Sequence, residues 1–95
     1  MAAYVIVTVT IHNEEGYEAY KKLTPATVEA HGGRFVVRGG KAEVLEGNIN
    51  PGRVVVLEFK DVATAKAWWH SEEYSAAKVI RQQNATTRMI VVEGV

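Results

Sequence analysis

The stretch Ala3-Tyr-Val-Ile-Val-Thr-Val-Thr-Ile11 is rich in β-branched side chains, and it decides the fold of this chain. Such a composition predicts a β-strand. Side chains of a strand alternate between the two faces of a sheet. One face therefore receives Val5, Val7, Val9 and Ile11, and the other receives Tyr4, Ile6, Thr8 and Thr10. Apolar residues occur in both of these sets, which indicates that both faces of the sheet are buried.

The segment 53–59 repeats this two-sided pattern, and further strands are predicted at 34–39 and 88–93. In the segment 53–59 the helix-facing set is Val55, Leu57 and Phe59, and the opposite set is Val54, Val56 and Glu58. In the last strand Arg88, Ile90 and Val92 are assigned to the same side as Glu58. A long hairpin joins the second and third strands, and residues 42–45 are expected to form a short additional strand within it.

The first helical region follows Asn13, a typical N-cap residue, and ends at the glycine stop Gly32-Gly33. Pro25 removes one backbone donor, so we expect the helix to bend there, with Thr24 as the cap of its second segment. The predicted apolar stripe consists of Tyr17, Tyr20, Leu23, Thr27 and Val28.

The second helical region begins at Asp61, and Ser71 starts a new segment within it. Trp68 and Trp69 are adjacent, and adjacent helical positions point about 100° apart, so only one of them can face the core. One side of the last segment carries Ala76, Val79, Ile80 and Gln83.

The order β-α-β-β-α-β predicts an α+β, ferredoxin-like fold with a four-stranded antiparallel sheet and its helices on one face. A chain of 95 residues is expected to form one domain, residues 1–95. The helices leave the second face of the sheet bare, and a second copy of the chain is the economical cover. The sequence therefore predicts a homodimer.

The composition of the chain limits the kinds of partner that it is expected to bind and the kinds of chemistry that it can perform. The eleven basic residues are balanced by eleven acidic ones, which argues against nucleic acid or an anionic membrane as a partner. The absence of cysteine excludes disulfides and thiolate chemistry. No signal-peptide leader and no apolar run of about 20 residues is present, so we expect a cytoplasmic protein. No motif requires a cofactor, and the histidines lack the spacing of helical metal ligands.

The second strand presents charged residues to the uncovered face if strict alternation holds. With Phe35 and Val37 packed under the helices, Arg34, Val36 and Arg38 lie on the opposite side. A hairpin closing symmetrically about residue 46 places Arg34 opposite Glu58 and Val36 opposite Val56.

Two interpretations of these charges remain open. Arg34 and Glu58 either satisfy one another as a structural ion pair or belong to a binding site. Arg38 has no acid opposite it and is the better anchor for a ligand carboxylate. Glu58 is the candidate general base; burial would raise its pKa, whereas an adjacent arginine would lower it.

Three ordered motifs, together with Arg81 and the closing segment 91–94, resemble a known family. The motifs are His31-Gly-Gly-Arg-Phe-Val-Val-Arg-Gly-Gly40, Val56-Leu-Glu-Phe59 and Ala67-Trp-Trp-His-Ser-Glu-Glu-Tyr74. Over nearly its whole length the chain is similar to the uncharacterised family called domain of unknown function 1330. The resemblance implies a dimeric α/β barrel in a superfamily that includes cofactor-free monooxygenases, muconolactone-isomerase-like proteins and haem-handling enzymes.

The positions that match the family pattern are Arg38, Glu58, Trp69, Ser71, Tyr74 and Arg81. Two residue types differ from the usual ones. At the position of Trp69 the family usually has another aromatic residue, such as tyrosine, and at the position of Glu72 it usually has proline.

The resulting functional hypothesis is a cofactor-independent enzyme that acts on a small apolar or aromatic acid in a pocket beside the sheet. Glu58 is the predicted catalytic residue, and Arg38, Arg34, Trp69 and Tyr74 are predicted to bind the substrate. The alternatives are a non-catalytic small-molecule-binding domain and a domain that serves only self-association.

Overall fold

A computed structural model describes residues 1–95 of the chain. Its elements are β1 (Ala3–Ile11), α1 (Glu14–Ala30), β2 (Arg34–Arg38), β3 (Arg53–Phe59), α2 (Val62–His70), α3 (Glu72–Asn84) and β4 (Ala85–Glu93). None of the three helices is both long enough and apolar enough to cross a membrane. The predicted element order is confirmed, with the second helical region divided into α2 and α3 at Ser71.

The four strands form one antiparallel sheet in the order β2-β3-β1-β4. In β1 the alternate residues Val5, Val7 and Val9 are buried under the helices. Tyr4 pairs with Glu58 on one side and with Val92 on the other, so these three residues share the opposite face. The predicted ferredoxin-like fold and the face assignment of β1, β3 and β4 are therefore confirmed.

The core lies between this sheet and the helices and is centred on aromatic side chains. Trp68 is 1% exposed, and its ring lies 4.0 Å from that of Tyr74 and 5.4 Å from that of Phe59, centroid to centroid. Its indole Nε1 donates a hydrogen bond of 3.0 Å to the Thr27 hydroxyl oxygen. Trp69 is 37% exposed, so Trp68 is the tryptophan that faces the core.

Side-chain caps fix the start of each helix. Asn13, Asp61 and Ser71 each accept a hydrogen bond from the backbone amide three residues later. The bend expected at Pro25 does not divide the first helix, because α1 runs without interruption from Glu14 to Ala30. Thr24 is not a cap; its hydroxyl donates to the Tyr20 carbonyl within the helix.

Two predicted helical stripes are only partly correct. In α1, Leu23 is 46% exposed and the neighbouring Thr24 is buried in its place. In α3 the buried residues are Tyr74, Ala77 and Arg81, whereas Val79 is 51% exposed. The predicted short strand at 42–45 is wrong, since residues 39–52 contain no strand.

A bulge in β2 changes the faces of its last residues. Arg34 pairs with Glu58 as predicted, but the register shifts at Val36, so Val37 pairs with Val56 and Arg38 pairs with Val55. One extra residue in a strand reverses the alternation beyond it. Strict alternation therefore predicted the wrong face for Val37 and Arg38: Val37 lies on the uncovered face and Arg38 on the helix side.

Close packing of Gly33 on the sheet gives a test of the core. A Cβ atom at Gly33 would lie 2.5 Å from a ring carbon of Phe59, whose side chain is only 1% exposed and cannot move aside. We expect Gly33→Ala to lower the free energy of unfolding by about 1–3 kcal/mol. Gly40→Ala is the matched control, because its Cβ meets nothing within 4 Å.

Gly40→Ala is expected to lower the free energy of unfolding by no more than about 0.5 kcal/mol. Urea denaturation of both variants at one protein concentration measures the difference. Equal stability of the two variants would contradict the packing described.

Candidate functional site

A small cavity lies between the helix-covered face of the sheet, α1 and α3. Its volume is about 30 Å³, which is room for a water molecule or an acid group but not for a whole ligand. Its apolar lining consists of Val7, Phe35, Val55, Leu57, Trp68 and Met89, and its polar lining of Tyr17, Tyr20, Lys21, Thr24, Arg38, Arg53 and Arg81. We call it the arginine cavity.

The charged side chains that line the arginine cavity are all basic. Three arginines and one lysine line it, and no aspartate or glutamate does. None of the three arginines forms an ion pair within the chain; Lys21 pairs with Glu18 at 3.0 Å. Because the whole chain has a formal net charge of zero, this concentration of positive charge is a local feature.

Arg81 is the most deeply placed of the three, at 6% exposure. It follows Tyr74 by seven residues on the buried side of α3, and its Nε donates a hydrogen bond of 3.3 Å to the Tyr74 hydroxyl. A buried guanidinium normally has an anionic partner, because losing its hydration costs several kcal/mol. Here the protein supplies only the Tyr74 hydroxyl.

The phenols beside Arg81 form a short network. The hydroxyl oxygens of Tyr20 and Tyr74 lie 2.8 Å apart, and the Tyr74 oxygen also accepts the bond from Arg81. Burial raises the pKa of Tyr20 well above its ordinary value of 10.0, with the neighbouring Tyr74 adding to the shift. Tyr20 therefore stays neutral at physiological pH and does not compensate the arginine charges.

Arg53 comes from the first position of β3, and its Nε is buried without a hydrogen-bond partner. Its guanidinium lies against Gly39, where a Cβ atom would clash with it. Gly39 also has a positive φ of 72°, a conformation that glycine adopts without strain. Gly39 therefore both ends β2 and leaves the space that Arg53 occupies.

Arg38 is the exposed member of the three. It lies 4.4 Å above the Phe35 ring, and its Nη2 donates a hydrogen bond of 3.4 Å to the Lys21 carbonyl. In a regular helix that carbonyl would accept from the amide four residues later, which is Pro25 and has no N–H. Arg38 thus supplies the donor that Pro25 lacks and also borders the cavity.

A second, larger cavity of about 240 Å³ lies between α2 and β4. Seven of the nine residues that line it are hydrophobic. The set is Val5, Ala65, Lys66, Trp68, Trp69, His70, Met89, Ile90 and Val91. We call it the α2–β4 cleft. Trp69 contributes to this cleft, and the Lys78 ammonium lies 3.2 Å from the centre of its ring.

Glu58 and Arg34 lie on the opposite face of the sheet. The Arg34 Nε donates to one carboxylate oxygen of Glu58 at 2.6 Å, and the Tyr4 hydroxyl donates to the other at 3.0 Å. These two bonds, that of Arg34 first, hold the pKa of Glu58 below its ordinary value of 4.5 despite partial desolvation. The geometry supports the interpretation that Arg34 and Glu58 satisfy one another.

The predicted site residues are thus distributed over three places. Arg38 borders the arginine cavity, Trp69 lines the α2–β4 cleft, and Arg34 pairs with Glu58 on the uncovered face. Tyr74 is fully buried, and only its hydroxyl bonds to the cavity residues Tyr20 and Arg81. The expectation of one pocket beside both Arg38 and Glu58 is wrong within one chain, because the two side chains lie on opposite faces of the sheet.

Reasoning from the residues did not select Arg53, Arg81 or Tyr20 as site residues. The signal for Arg81 was the spacing of Tyr74, Ala77 and Arg81, which places all three on one side of α3. Arg53 gave no such signal, since its placement depends on the loop glycine beside it. No three histidine, aspartate or glutamate side chains gather as ligands for a metal ion.

The chain belongs to the family described as Domain of unknown function (DUF1330), whose model matches residues 2–95. The resemblance seen in the sequence motifs is thereby confirmed. Among proteins of curated function, none matches the chain.

Solved structures share the fold at low sequence identity. A protein of unknown function from Rhodopseudomonas palustris is 21% identical, with a TM-score of 0.79 over 99% of this chain and 82% of that one. A dimeric ferredoxin-like protein of unknown function from Jannaschia is 14% identical, with a TM-score of 0.75 over 99% of this chain and 100% of that one.

SnoaB, a cofactor-independent oxygenase from Streptomyces nogalater, is 12% identical, with a TM-score of 0.69 over 99% of this chain and 93% of that one. At these identities the similarity establishes the fold.

The ion pair on the uncovered face gives a prediction for pH dependence. Because the pKa of Glu58 is lowered in the folded state, its pairing stabilises the protein above pH 4.5, the ordinary pKa. That contribution is lost as the pH falls through the folded-state pKa. Arg34→Gln removes the main cause of the shift, so the stability difference between wild type and variant should shrink as the solution is acidified.

Urea unfolding at fixed protein concentration, from about pH 7 down to about pH 3, measures this difference. Arg88→Gln is the control, because Arg88 lies on the same face and forms no ion pair. If the stability difference between wild type and Arg34→Gln is as independent of pH as the difference for Arg88→Gln, the ion pair does not lower the pKa of Glu58.

Proposed function

We propose that the chain binds a small acid with an apolar or aromatic body, and that the acid group is held in the arginine cavity. The observation that carries the proposal is Arg81, which is 6% exposed, has no carboxylate partner and borders a cavity. An anionic ligand would provide the missing counter-charge. A carboxylate also suits the planar donor pattern of a guanidinium.

The surroundings of the arginines support an organic acid rather than a bare inorganic anion. Six apolar residues line the arginine cavity, including the rings of Phe35 and Trp68. Ligand sites typically combine such apolar walls with a few convergent polar groups. The cavity of about 30 Å³ accommodates the acid group alone, so the body of the ligand must extend beyond it.

Two forms of this function differ in chemistry. In the enzymatic form, the protein would be a cofactor-independent enzyme that acts on the bound acid; in the other, it would bind the acid unchanged. The cavity contains no carboxylate or imidazole, so a proton transfer within it would fall to one of the two phenols that line it, Tyr17 or Tyr20.

We propose that Glu58 has a structural role, as the ion-pair partner of Arg34. A general base that works near neutral pH needs a pKa close to that pH, and the pKa of Glu58 is shifted in the opposite direction.

We also propose that the chain forms a homodimer through the uncovered face. That face exposes Ile90 at 60% and Val92 at 44%, next to the partly buried Ile6, Val54 and Val56. An apolar patch of this kind on a small protein indicates a protein interface. The similar Jannaschia structure is that of a dimeric protein, which supports the same assembly.

The acid-binding proposal is tested with a panel of aromatic and aliphatic monocarboxylates, each paired with its neutral amide, for example benzoate with benzamide. We expect carboxylates to raise the thermal unfolding midpoint and to bind in calorimetry, and the amides not to. Arg81→Gln should weaken binding about 10- to 100-fold, because hydrogen bonds between charged groups contribute about 1.5–3 kcal/mol.

Arg88→Gln is the control, since this arginine lies on the other face of the sheet. Arg38→Gln is a second test at an exposed position, in case the buried substitution impairs folding. The proposal is wrong if no carboxylate of the panel binds the wild type, or if neither Arg81→Gln nor Arg38→Gln weakens binding.

The dimer is tested by sedimentation velocity at micromolar concentration. Ile90→Arg should dissociate it, because a guanidinium would be buried in the interface without a partner. Val79→Arg is the control: Val79 is similarly exposed, at 51%, but lies on α3. A wild type that sediments as a folded monomer, or a dimer that persists in Ile90→Arg, would contradict the proposed interface.

A further inference from the structure

The arginine cavity and the α2–β4 cleft share two lining residues, Trp68 and Met89. The two cavities therefore lie side by side, and these side chains form the wall between them. Each cavity alone is incomplete as a ligand site. The arginine cavity has the charge but a volume of only about 30 Å³, whereas the α2–β4 cleft has about 240 Å³ and mainly apolar walls.

Trp68 is the fixed half of this wall. It is 1% exposed, its indole nitrogen is bonded to Thr27, and its ring packs between those of Phe59 and Tyr74. Rotation of this side chain would break the hydrogen bond and disrupt the aromatic core. Such a movement would cost several kcal/mol by the usual measure for large core side chains.

Met89 is the half of the wall whose side chain has the freedom to rotate. It lies on β4, an edge strand that pairs only with β1, and it is partly buried without being enclosed by the core. A methionine side chain has three rotatable bonds and no branch, so it adapts to irregular spaces at little cost. Among the residues of the wall, Met89 is thus the one that can open a passage.

We propose that rotation of Met89 joins the two cavities into one elongated site for an amphipathic acid. The acid group binds to Arg81 and its neighbours, and an apolar tail extends past Met89 into the α2–β4 cleft, beside Val91 and Trp69. This inference rests on the proposed acid-binding function and adds the class of ligand: a monocarboxylate with a linear apolar or aryl-terminated tail, rather than a compact acid.

The tail should contribute in proportion to its length. Each methylene group transferred from water to an apolar site is worth about a fourfold gain in affinity. The gain should continue until the cleft is filled and then stop. A compact acid such as benzoate should bind mainly through the arginines and depend on Met89 less than a long acid does.

The test uses calorimetry with benzoate, 3-phenylpropanoate and 5-phenylpentanoate. In the wild type, affinity should increase along the series by about fourfold for each added methylene. Met89→Ala removes the movable part of the wall and should strengthen binding of the longest acid by about tenfold or more. Met89→Ile is the matched control, because its stiff β-branched side chain keeps the volume but restricts rotation; it should flatten the dependence on length.

A structural readout accompanies the affinities. Methyl groups of Val91 line the cleft but not the arginine cavity, so nuclear Overhauser contacts between them and the tail protons of 5-phenylpentanoate are expected. Benzoate should give no such contacts.

Two outcomes separate the inference from the function on which it rests. If benzoate binds and loses affinity in Arg81→Gln, but the series is flat in wild type and in Met89→Ala, acid binding stands and the joined site is wrong. If no acid of the series binds the wild type, both proposals are wrong. Contacts of the tail with Val91 and a length dependence that Met89→Ile removes would establish the joined site.

Discussion

Apolar side chains on both faces of one sheet are the constraint on which this architecture depends. Helices α1, α2 and α3 bury Val5, Leu57 and their neighbours, but they leave Ile6, Val54 and Val56 on the other side without a cover. The two faces consequently take different roles. The helix side provides enclosed space within the chain, and the uncovered face provides a surface that only another molecule can bury.

Charge is distributed between the faces in a way that follows from this division. On the uncovered face, Arg34 and Glu58 neutralise each other at 2.6 Å, as suits residues that would be covered by a partner. On the helix side, Arg38, Arg53 and Arg81 have no acid within the chain. Burial of a charge without compensation is costly, so Arg81, which is buried and has no acidic partner, supports the acid-binding function proposed above.

Most of the fold could be predicted from the sequence, because the alternation of residues between the two faces of a strand is a strong signal. Alternation gave the observed face for each residue that it assigned in β1, β3 and β4, and it correctly placed Arg34 opposite Glu58. The first three residues of β4 lay outside the predicted strand. It failed at Val36, where one extra residue in β2 inverts the order of Val37 and Arg38. A bulge of this kind leaves no mark in the hydrophobic pattern of so short a strand.

The site was less predictable for a related reason. Its three arginines come from three elements, and two of the three are placed by features that sequence periodicity does not report. Arg38 reaches the helix side because of the bulge, and Arg53 lies in the space left by Gly39. Only Arg81 follows from regular spacing, on the buried side of α3 with Tyr74. The stripe predicted for that helix did not include Arg81, because an arginine is rarely buried unless it has a partner.

Two local irregularities compensate one another at the edge of the arginine cavity. Pro25 deprives the Lys21 carbonyl of its helical donor, and the bulge in β2 turns Arg38 to the side on which that carbonyl lies. Each feature alone would be unfavourable: an unsatisfied carbonyl in α1, and a cation directed at a helix. Together they connect α1 to β2 through one hydrogen bond and hold a guanidinium beside the cavity. Departures from regular structure that occur as such a matched pair are typical of places where a fold serves a ligand as well as its own stability.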